Sequence, residues 1–365
     1  MATPDTVTDH GTGDRGRTRL TQRDLARHAG VSTATVSLVL RKSPLVAEET
    51  RLRVLHSAAA LGYIYNRGAA SLRTQQTHTV GLAINELTNP YFAELTAAIE
   101  HAFTRLGRTV FLSNSSESPA RQERFVETMR EYNADGLIIC PAEGTDPVWL
   151  QRLAGVVPCV LISRRVVGAD VDYAGNDHRL GTQLATEHLL ALGHRRIAML
   201  GGTERTSTGA ERYQGYRDAL AAYGATADPA LVRQGAPTRE NGVRWIQELL
   251  DAGRASATTA AVCFNDVVAF GVMLGLRQIG REPGRDFAVF GCDDIAEAAL
   301  WRPALSTVAI RSTAIGDAAA TLLLDRIADF DRPTRQIVLQ PELVLRETSG
   351  PPPPIHAPVR PRRRA

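Results

Sequence analysis

The chain has 365 residues, 44% of them hydrophobic and 22% charged, a composition typical of soluble globular proteins. No apolar run approaches the roughly 20 residues of a membrane helix. The polar N-terminus lacks the apolar core of a signal peptide, so we expect a cytoplasmic protein with no membrane partner. Four widely spaced cysteines favour buried thiols over a disulfide framework or a zinc site.

Positive charge is concentrated near the N-terminus, although the whole chain carries only +3. Between Arg19 and Thr74, nine arginines and lysines accompany three acidic residues. The rest of the chain is therefore net negative. A basic segment joined to a mildly acidic body is typical of a nucleic-acid-binding module attached to a second domain.

Residues 20–40 predict two short helices joined by a tight turn. Thr21 and Ser32 are expected to cap the helices, and Gly30 to end the first one. The second helix should present a small, mostly polar outer face, made of Thr33, Ala34, Ser37 and Leu38. This pattern is that of a helix-turn-helix, whose second helix enters the major groove. An ordinary helical hairpin within a core is the alternative.

The flanking segments complete an N-terminal domain. Residues 1–18 are polar and are predicted to be a disordered leader. Residues 48–61 predict a third helix, whose apolar face consists of Leu52, Val54, Leu55, Ala58, Ala59 and Leu61. Residues 19–64 would then form the helix-turn-helix domain. Residues 65–78 form a polar linker with one short helical possibility, from Asn66 to Arg73.

From Thr79 onward, near-continuous apolar strands alternate with helices, which indicates parallel sheets covered on both faces. The strands are too many for one sheet, so we expect two similar α/β lobes. Ligands of such lobes bind at the carboxyl ends of strands. That rule places four segments in one cleft: 85–89, 163–164, 265–266 and 292–294. Residues 350–365 are rich in proline and arginine and are expected to be disordered.

Motifs in both parts of the chain closely resemble the LacI/GalR family of bacterial transcriptional regulators. The head carries Asp24-Leu-Ala-Arg-His-Ala-Gly-Val-Ser-Thr-Ala-Thr-Val-Ser and Leu61-Gly-Tyr-Ile-Tyr-Asn-Arg67. The body carries Asn89-Pro-Tyr-Phe, Leu192-Gly-His-Arg-Arg-Ile-Ala198, Asn265-Asp266, Gly291-Cys-Asp-Asp294 and Pro341-Glu-Leu-Val-Leu-Arg346. These stretches follow the family's order and spacing over residues 19–349.

The resemblance implies a small all-α helix-turn-helix head and a periplasmic-binding-protein-like core of two doubly wound parallel-sheet lobes, over residues 79–349. By similarity, lobe 1 spans about 79–176 and 309–338, and lobe 2 about 177–308 and 339–349. It also implies a repressor that binds palindromic double-stranded operator DNA as a homodimer, with a tetramer left open. A small ligand, expected to be a carbohydrate, would control DNA binding from the cleft between the lobes.

The resemblance also assigns roles to residues of the head and linker. Thr33, Ala34 and Leu38 fall where the family reads base edges; leucine cannot make the two-bond contact by which arginine recognises guanine. Leu72 matches a leucine that enters the minor groove and bends the duplex. The positions that match phosphate contacts are Thr21, Ser32, Thr35, Ser37, Tyr63 and Asn66.

The expected effector-binding residues are Asn85, Asn89, Tyr91, Phe92, Ser163, Arg164, Arg212, Asn265 and Asp293. Amides, an arginine and a carboxylate beside aromatic rings suit a polyhydroxylated ligand. Arg212 has a second interpretation, as a structural partner of a carboxylate between the lobes. Asp294 and His194 are expected to be structural.

Other functional classes have less support in the sequence. A solute-binding protein of a sugar transporter would share the core, but the basic head and the absent export signal disfavour it. An α/β enzyme such as a sugar kinase or hydrolase is disfavoured because the sequence has no nucleophile elbow, phosphate loop or metalloprotease motif. We therefore expect no catalytic residues, no cofactor and no metal.

Overall fold

The computed structural model describes residues 20–41, 43–65, 76–251 and 258–353. The chain separates into two compact units, with the boundary between Gln75 and Gln76. The predicted contacts of Asn66 and Leu72 lie outside the described residues, as do the leader and most of the C-terminal tail.

The first unit contains three helices: α1 (Gln22–Ala29), α2 (Thr33–Leu40) and α3 (Glu48–Leu61). Their shared core consists of Leu25, Ala26, Ala29, Val36, Val39 and Val54. The prediction that Leu52 and Leu55 face this core is wrong, because they are 58% and 47% exposed. The buried residues of α3 are Val54 and Ser57, so the two short helices cover only one narrow side of α3.

The second unit begins with an all-parallel sheet. Its strands are β1 (Thr79–Ile84), β2 (Thr109–Asn114), β3 (Gly136–Ile139), β4 (Cys159–Ile162), β5 (Asp172–Asn176) and β11 (Gln336–Leu339). They lie in the order β11-β5-β4-β3-β1-β2. The accompanying helices are α4 (Pro90–Arg105), α5 (Pro119–Glu131), α6 (Pro147–Ala154) and α12 (Ser312–Ala328). We call this half lobe 1.

Lobe 2 has the same architecture as lobe 1 and is built on a second sheet. Its strands are β6 (Ile197–Leu200), β7 (Val232–Arg233), β8 (Ala260–Cys263), β9 (Ala288–Asp293), β10 (Ser306–Ala309) and β12 (Glu342–Val344). They lie in the order β12-β10-β9-β8-β6-β7, and only the pair of β10 and β12 is antiparallel. The helices are α7 (His178–Ala191), α8 (Ser207–Ala222), α9 (Arg239–Asp251), α10 (Asp266–Gln278) and α11 (Glu297–Leu300).

The backbone passes between the two sheets three times, after β5, after β10 and after β11. Each lobe is therefore assembled from separate stretches of sequence. A helical head followed by two predominantly parallel α/β lobes confirms the predicted fold class. Lobe 1 also depends on close packing of α12 against α4, where a Cβ on Gly316 would lie 2.9 Å from the Cβ of Ala98.

The start of helix α8 affects the site. Helix α8 begins at Ser207. Its N-cap is Thr206, whose side-chain oxygen accepts a hydrogen bond from the backbone N–H of Gly209 at 3.1 Å. Thr208 and Arg212 consequently lie one helical turn apart on the same face.

Two of the composition-based expectations concern parts that the structure describes. Among those residues, no helix is both long and apolar enough to cross a membrane. All four cysteines are free and buried, which confirms the prediction of buried thiols. Burial raises the pKa of the Cys140 thiol to about 12.

Candidate functional site

The turn between α1 and α2 is built by local side-chain caps. The Thr21 hydroxyl accepts from the backbone N–H of Asp24, and the Asp24 carboxylate accepts from the backbone N–H of Thr21 at 3.0 Å, which is a complete capping box. Gly30 ends α1 with φ of 63°, in the left-handed region. Ser32 then accepts from the N–H of Thr35 and starts α2. These caps confirm the predicted helix-turn-helix geometry.

The side chains predicted to lie on the outer face of α2 are more exposed than those on its opposite face. Thr33 and Ala34 are exposed, whereas Leu38 and Ser37 are half-buried. Val36 and Val39, on the opposite face, are buried in the core of the unit. A half-buried Leu38 is compatible with both a packing role and an apolar contact to DNA.

Four of the described phosphate-contact candidates lie at or near helix ends, and the fifth, Ser37, lies within α2. Thr21 and Ser32 are exposed caps, and Thr35 and Tyr63 are half-buried. The Ser32 and Thr35 hydroxyls also lie 2.9 Å apart and share a hydrogen bond.

A cavity of about 370 Å³ lies between the two lobes. It brings together eight of the nine predicted effector-binding residues: Asn89, Tyr91, Phe92, Ser163, Arg164, Arg212, Asn265 and Asp293. Asn85 does not line it, because its amide donates to the carbonyl of Pro141 at 3.1 Å and its oxygen accepts from Ser115. We therefore correct the assignment of Asn85 from ligand binding to support of the strand ends.

Glu86 and Thr88, which also line the cavity, lie within the segment 85–89 that the strand-end rule placed there, although they were not named as ligand-binding residues. Sequence reasoning missed the remaining lining residues: Glu117, His178, Thr208, Ala236, Pro237, Thr238, Arg239, Glu240, Phe264 and Val267. Most lie in loops whose position depends on the tertiary fold. The strand-end rule could have identified Phe264, because this residue directly follows β8. His178 lies two residues after the end of β5, a strand that the sequence pattern did not predict.

In lobe 1, Tyr91 and Ser163 form a buried polar contact at the cavity wall. Their hydroxyl oxygens lie 2.7 Å apart. Ser163 has φ of 60°, so the chain turns sharply where β4 ends and presents the side chain to the cavity. Phe92 packs edge-on against Tyr91, with ring centroids 5.0 Å apart. This wall combines aromatic surface with hydroxyl groups.

Arg164 lies beside this wall, and its charge is balanced. Its guanidinium donates to the Glu117 carboxylate at 2.8 Å and to the Pro141 carbonyl at 3.3 Å. The pKa of the Arg164 guanidinium is raised above its usual value, because nearby Cys140 and Glu117 outweigh the opposing effect of burial. Arg164 therefore stays charged but is already paired.

In lobe 2, Arg212 and Asp293 face each other at the base of the cavity. One Arg212 nitrogen lies 3.7 Å from the Asp293 carboxylate, and another donates to the Phe264 carbonyl. The guanidinium also stacks on the Phe264 ring, 4.2 Å from its centroid. Burial raises the pKa of Asp293, and Arg212 opposes that shift. Both partners belong to lobe 2, so this arginine does not pair between lobes.

The two cleft asparagines are helix caps. Asn89 accepts from the N–H of Tyr91 at 3.1 Å, and Asn265 accepts from the N–H of Val268 at 3.0 Å. Using the side-chain oxygen as a cap orients each amide and leaves its N–H groups for other partners. The neighbours predicted to be structural are engaged elsewhere: Asp294 pairs with Arg346 at 2.7 Å.

Several polar contacts join the lobes beside the cavity. Arg165 of lobe 1 donates to Glu211 of α8 at 2.7 Å, and its backbone N–H donates to the Ser207 hydroxyl at 2.8 Å. Glu143 of lobe 1 pairs with Arg205 of lobe 2. These polar contacts hold the two lobes against each other beside the cavity. No group of histidine, cysteine or acidic residues able to hold a metal occurs among the described residues.

Comparisons with known proteins match both units. Residues 21–66 match the model of bacterial regulatory proteins of the lacI family, and residues 77–347 match that of periplasmic binding proteins and the sugar-binding domain of the LacI family. The transcriptional regulator GalR of Escherichia coli K12 is 33% identical over 334 residues, which cover 91% of this chain and 96% of GalR.

Two solved structures share the whole architecture. The lac repressor dimer bound to operator and the anti-inducer ONPF is 27% identical, with a TM-score of 0.81 and coverage of 91% of this chain and 99% of that one. A complex of the transcriptional regulator CelR with cellobiose is 32% identical, with a TM-score of 0.68 and coverage of 90% and 100%.

The chain combines a helix-turn-helix unit with a two-lobed core that has a polar cleft. This combination is typical of transcriptional regulators that respond to a ligand. The class is thus a DNA-binding protein and not an enzyme or a transporter component. The chain belongs to the LacI family of bacterial transcriptional regulators.

Proposed function

We propose that this regulator is a cytoplasmic, homodimeric repressor whose affinity for a palindromic operator is set by a small uncharged carbohydrate in the interlobe cavity. The observation that carries the ligand class is the cavity itself. Aromatic rings of Tyr91, Phe92 and Phe264 lie beside two amides and the Arg212–Asp293 pair. Ring faces stack on sugar C–H surfaces while polar groups bind hydroxyls.

Assembly as a dimer is supported by the lac repressor dimer and by the free edge of the lobe 1 sheet. Among the residues that the structure describes, strand β2 pairs only with β1, and its Phe111 and Leu112 are both 42% exposed. Exposed apolar side chains on an open sheet edge favour burial against another chain. A two-fold dimer explains recognition of a two-fold symmetric operator.

For DNA recognition, we propose that Thr33, Ala34 and Leu38 contact base edges, and that Thr21, Ser32, Thr35, Ser37 and Tyr63 contact phosphates. Threonine and alanine meet a thymine methyl group, and Leu38 adds only apolar contact. Phosphate contacts position the head on the duplex, and sequence specificity therefore depends on DNA shape as well as on base contacts.

A thermal-shift panel tests the ligand class. The probes are cellobiose, galactose, ribose, glucose 6-phosphate, adenine and guanosine, each added to the full chain. A neutral sugar at about one hundred times its Kd should stabilise the protein by roughly 2.7 kcal/mol. Asp293→Asn should remove that stabilisation and retain DNA binding. A response to purines or nucleosides alone would contradict a carbohydrate ligand.

A gel-shift titration with genomic fragments at about 0.1–0.2 M salt tests the DNA-binding surface. Leu38→Arg should move the preferred operator toward guanine at one position, by roughly 1–3 kcal/mol. Leu52→Arg adds the same charge to an exposed site on α3 and serves as the control. If Leu38→Arg unfolds the head, as circular dichroism would reveal, then Leu38 is a core residue.

A further inference from the structure

His178 lies in the cavity wall and connects the two lobes. It is the first residue of α7, it lines the cavity, and only 5% of it is exposed. Its Nε2 lies 3.1 Å from the backbone carbonyl oxygen of Ser163, at the end of β4 in lobe 1. The ring is therefore held by a residue that itself lines the cavity.

That contact determines which ring nitrogen carries the proton. A carbonyl oxygen can only accept, so Nε2 must donate and must be protonated. Burial, followed by the nearby positive charge of Arg212, lowers the pKa of His178 to about 3. The imidazole is thus neutral at physiological pH. With the proton on Nε2, Nδ1 presents a bare lone pair.

This lone pair lacks a partner in the part of the chain that the structure describes. His178 Nδ1 is buried and forms no hydrogen bond there. Buried polar atoms are nearly always paired, and an acceptor left without a donor is costly. Arg212 Nε, a donor on a second cavity residue, is buried without a partner as well. His178 Nδ1 and Arg212 Nε thus leave one acceptor and one donor unpaired on two residues of the cavity, which a ligand that both donates and accepts would satisfy.

The charges around the cavity restrict that ligand further. Arg164 is paired with Glu117 at 2.8 Å, and Arg212 faces Asp293 at 3.7 Å. Each buried arginine thus already faces a carboxyl group, but only Arg164 is held in a close ion pair, since burial raises the pKa of Asp293. A carboxylate or fully ionised phosphate oxygen can only accept, so it would repel the Nδ1 lone pair, whereas a hydroxyl can donate to it.

We propose that His178 is a specificity-determining residue of the cavity, whose Nδ1 accepts a hydrogen bond from a ligand hydroxyl and so selects an uncharged polyol over acidic or phosphorylated ligands. This inference rests on the proposed carbohydrate function and names the ligand feature that the site requires. His178 also fixes the Ser163 backbone, so ligand contact at Nδ1 is coupled to the wall of lobe 1.

The tautomer is testable without any ligand. Nitrogen-15 NMR of the histidine rings in the full chain, with His178→Phe used to assign the signal, should show Nε2 protonated and Nδ1 unprotonated from pH 5 to pH 8. A proton on Nδ1, or an imidazolium form at pH 6, would overturn the inference regardless of which ligand the protein binds.

Calorimetry tests the selectivity with matched probes: galactose against galacturonate, and glucose against glucose 6-phosphate, with cellobiose as an additional neutral probe. We expect the neutral member to bind more tightly by at least tenfold. His178→Phe should weaken neutral-sugar binding about tenfold. His178→Asn, whose amide oxygen can replace Nδ1 as an acceptor, should restore most of the affinity.

His188→Phe is the matched control. His188 lies on the same helix and packs edge-on against Phe290, and it does not line the cavity. Its Nε2 is also buried without a hydrogen-bond partner in the described part of the chain. Its substitution should leave sugar affinity within about twofold. Unchanged binding in His178→Phe, or tighter binding of the acidic probes, would refute the role of His178. If no sugar binds the wild type, the carbohydrate function fails, and the NMR result alone decides the inference about His178.

Discussion

The two lobes have the same strand order, but different groups surround the buried aspartate in each. In each sheet the first strand lies next to one edge strand, the later strands follow in order toward the opposite edge, and the sixth strand comes from the C-terminal part of the sequence. Asp172 in lobe 1 and Asp266 in lobe 2 are each no more than 1% exposed. Lobe 1 surrounds its carboxylate with cations, whereas lobe 2 supplies only neutral donors.

Asp172 cross-links lobe 1 through charge. Arg326 of α12 donates to it at 2.9 Å, and Arg332 donates at 2.7 Å. The backbone N–H of Arg335 adds a third donor at 2.7 Å. Burial alone would raise the pKa of Asp172, but these hydrogen bonds outweigh it and hold the pKa below its usual value. The carboxylate therefore attaches the returning C-terminal segment to β5.

Asp266 organises lobe 2 as a hydrogen-bond acceptor. It accepts from the Thr307 hydroxyl at 2.5 Å and from the backbone N–H of Ile295 at 3.0 Å. Burial raises its pKa to about 7, despite those hydrogen bonds. The comparison shows that the same fold can fix its strand ends through a charged cluster or through a carboxyl group that is easily protonated.

The largest expected effect comes from removing the charged cluster. Asp172→Ala would leave two arginine side chains without their carboxylate, and loss of one partner of a buried ion pair costs about 3–5 kcal/mol. Denaturant unfolding should show a destabilisation of that size. Asp170→Ala, at an exposed neighbour that accepts from Thr334, is the control and should change stability by less than about 1 kcal/mol. Equal effects would contradict the role given to Asp172.

Asp266 should give lobe 2 a distinct pH dependence. Its folded pKa of about 7 lies above the unfolded value of 3.8, so between those values the folded state retains a proton that the unfolded state has lost. Its contribution to stability therefore falls as pH rises from about 4 to about 7 and is constant above that range. The slope is at most about 1.4 kcal/mol per pH unit.

Asp266→Asn tests that slope, because asparagine does not titrate. Unfolding free energies measured from pH 4.5 to 8 should decline less steeply in the variant than in the wild type, whatever the constant offset between them. Parallel curves would show that Asp266 is ionised in the folded protein throughout this range.

A smaller effect is expected where the lobes meet. Arg165 and Glu211 are about 30% and 27% exposed, so their ion pair is partly screened. A double-mutant cycle with Arg165→Ala and Glu211→Ala should give a coupling energy of about 0.5–1 kcal/mol. The exposed pair of Arg244 and Glu248, within α9, is the control and should give about 0.3–0.5 kcal/mol. A coupling of zero would remove this pair from the contacts that hold the lobes together.

The helix-turn-helix was predictable because its signals are local. Thr21, Gly30 and Ser32 act within three residues of their own positions, so their roles follow directly from the sequence. The exposure of Leu52 and Leu55 was not predictable in this way, because it depends on how far two short helices extend over a longer one.

The cavity was only partly predictable for a related reason. Strand ends identified Asn89 and Asn265 correctly as cavity residues, but position at a strand end does not determine which way a side chain points, as Asn85 shows. His178 could not be found from the sequence, because its importance depends on a carbonyl of the other lobe. The pairing of Arg164 with Glu117 likewise joins residues 47 positions apart.

The central claim is that ligand in the cavity of the core controls DNA binding by the head. Fluorescence anisotropy of an operator fragment selected by this protein, titrated at fixed salt with the neutral sugar that binds most tightly, measures this coupling directly. We expect the operator Kd to change roughly 5- to 150-fold at saturating sugar, and Asp293→Asn to abolish the change. An identical operator Kd with and without a sugar that calorimetry shows to be bound would contradict it.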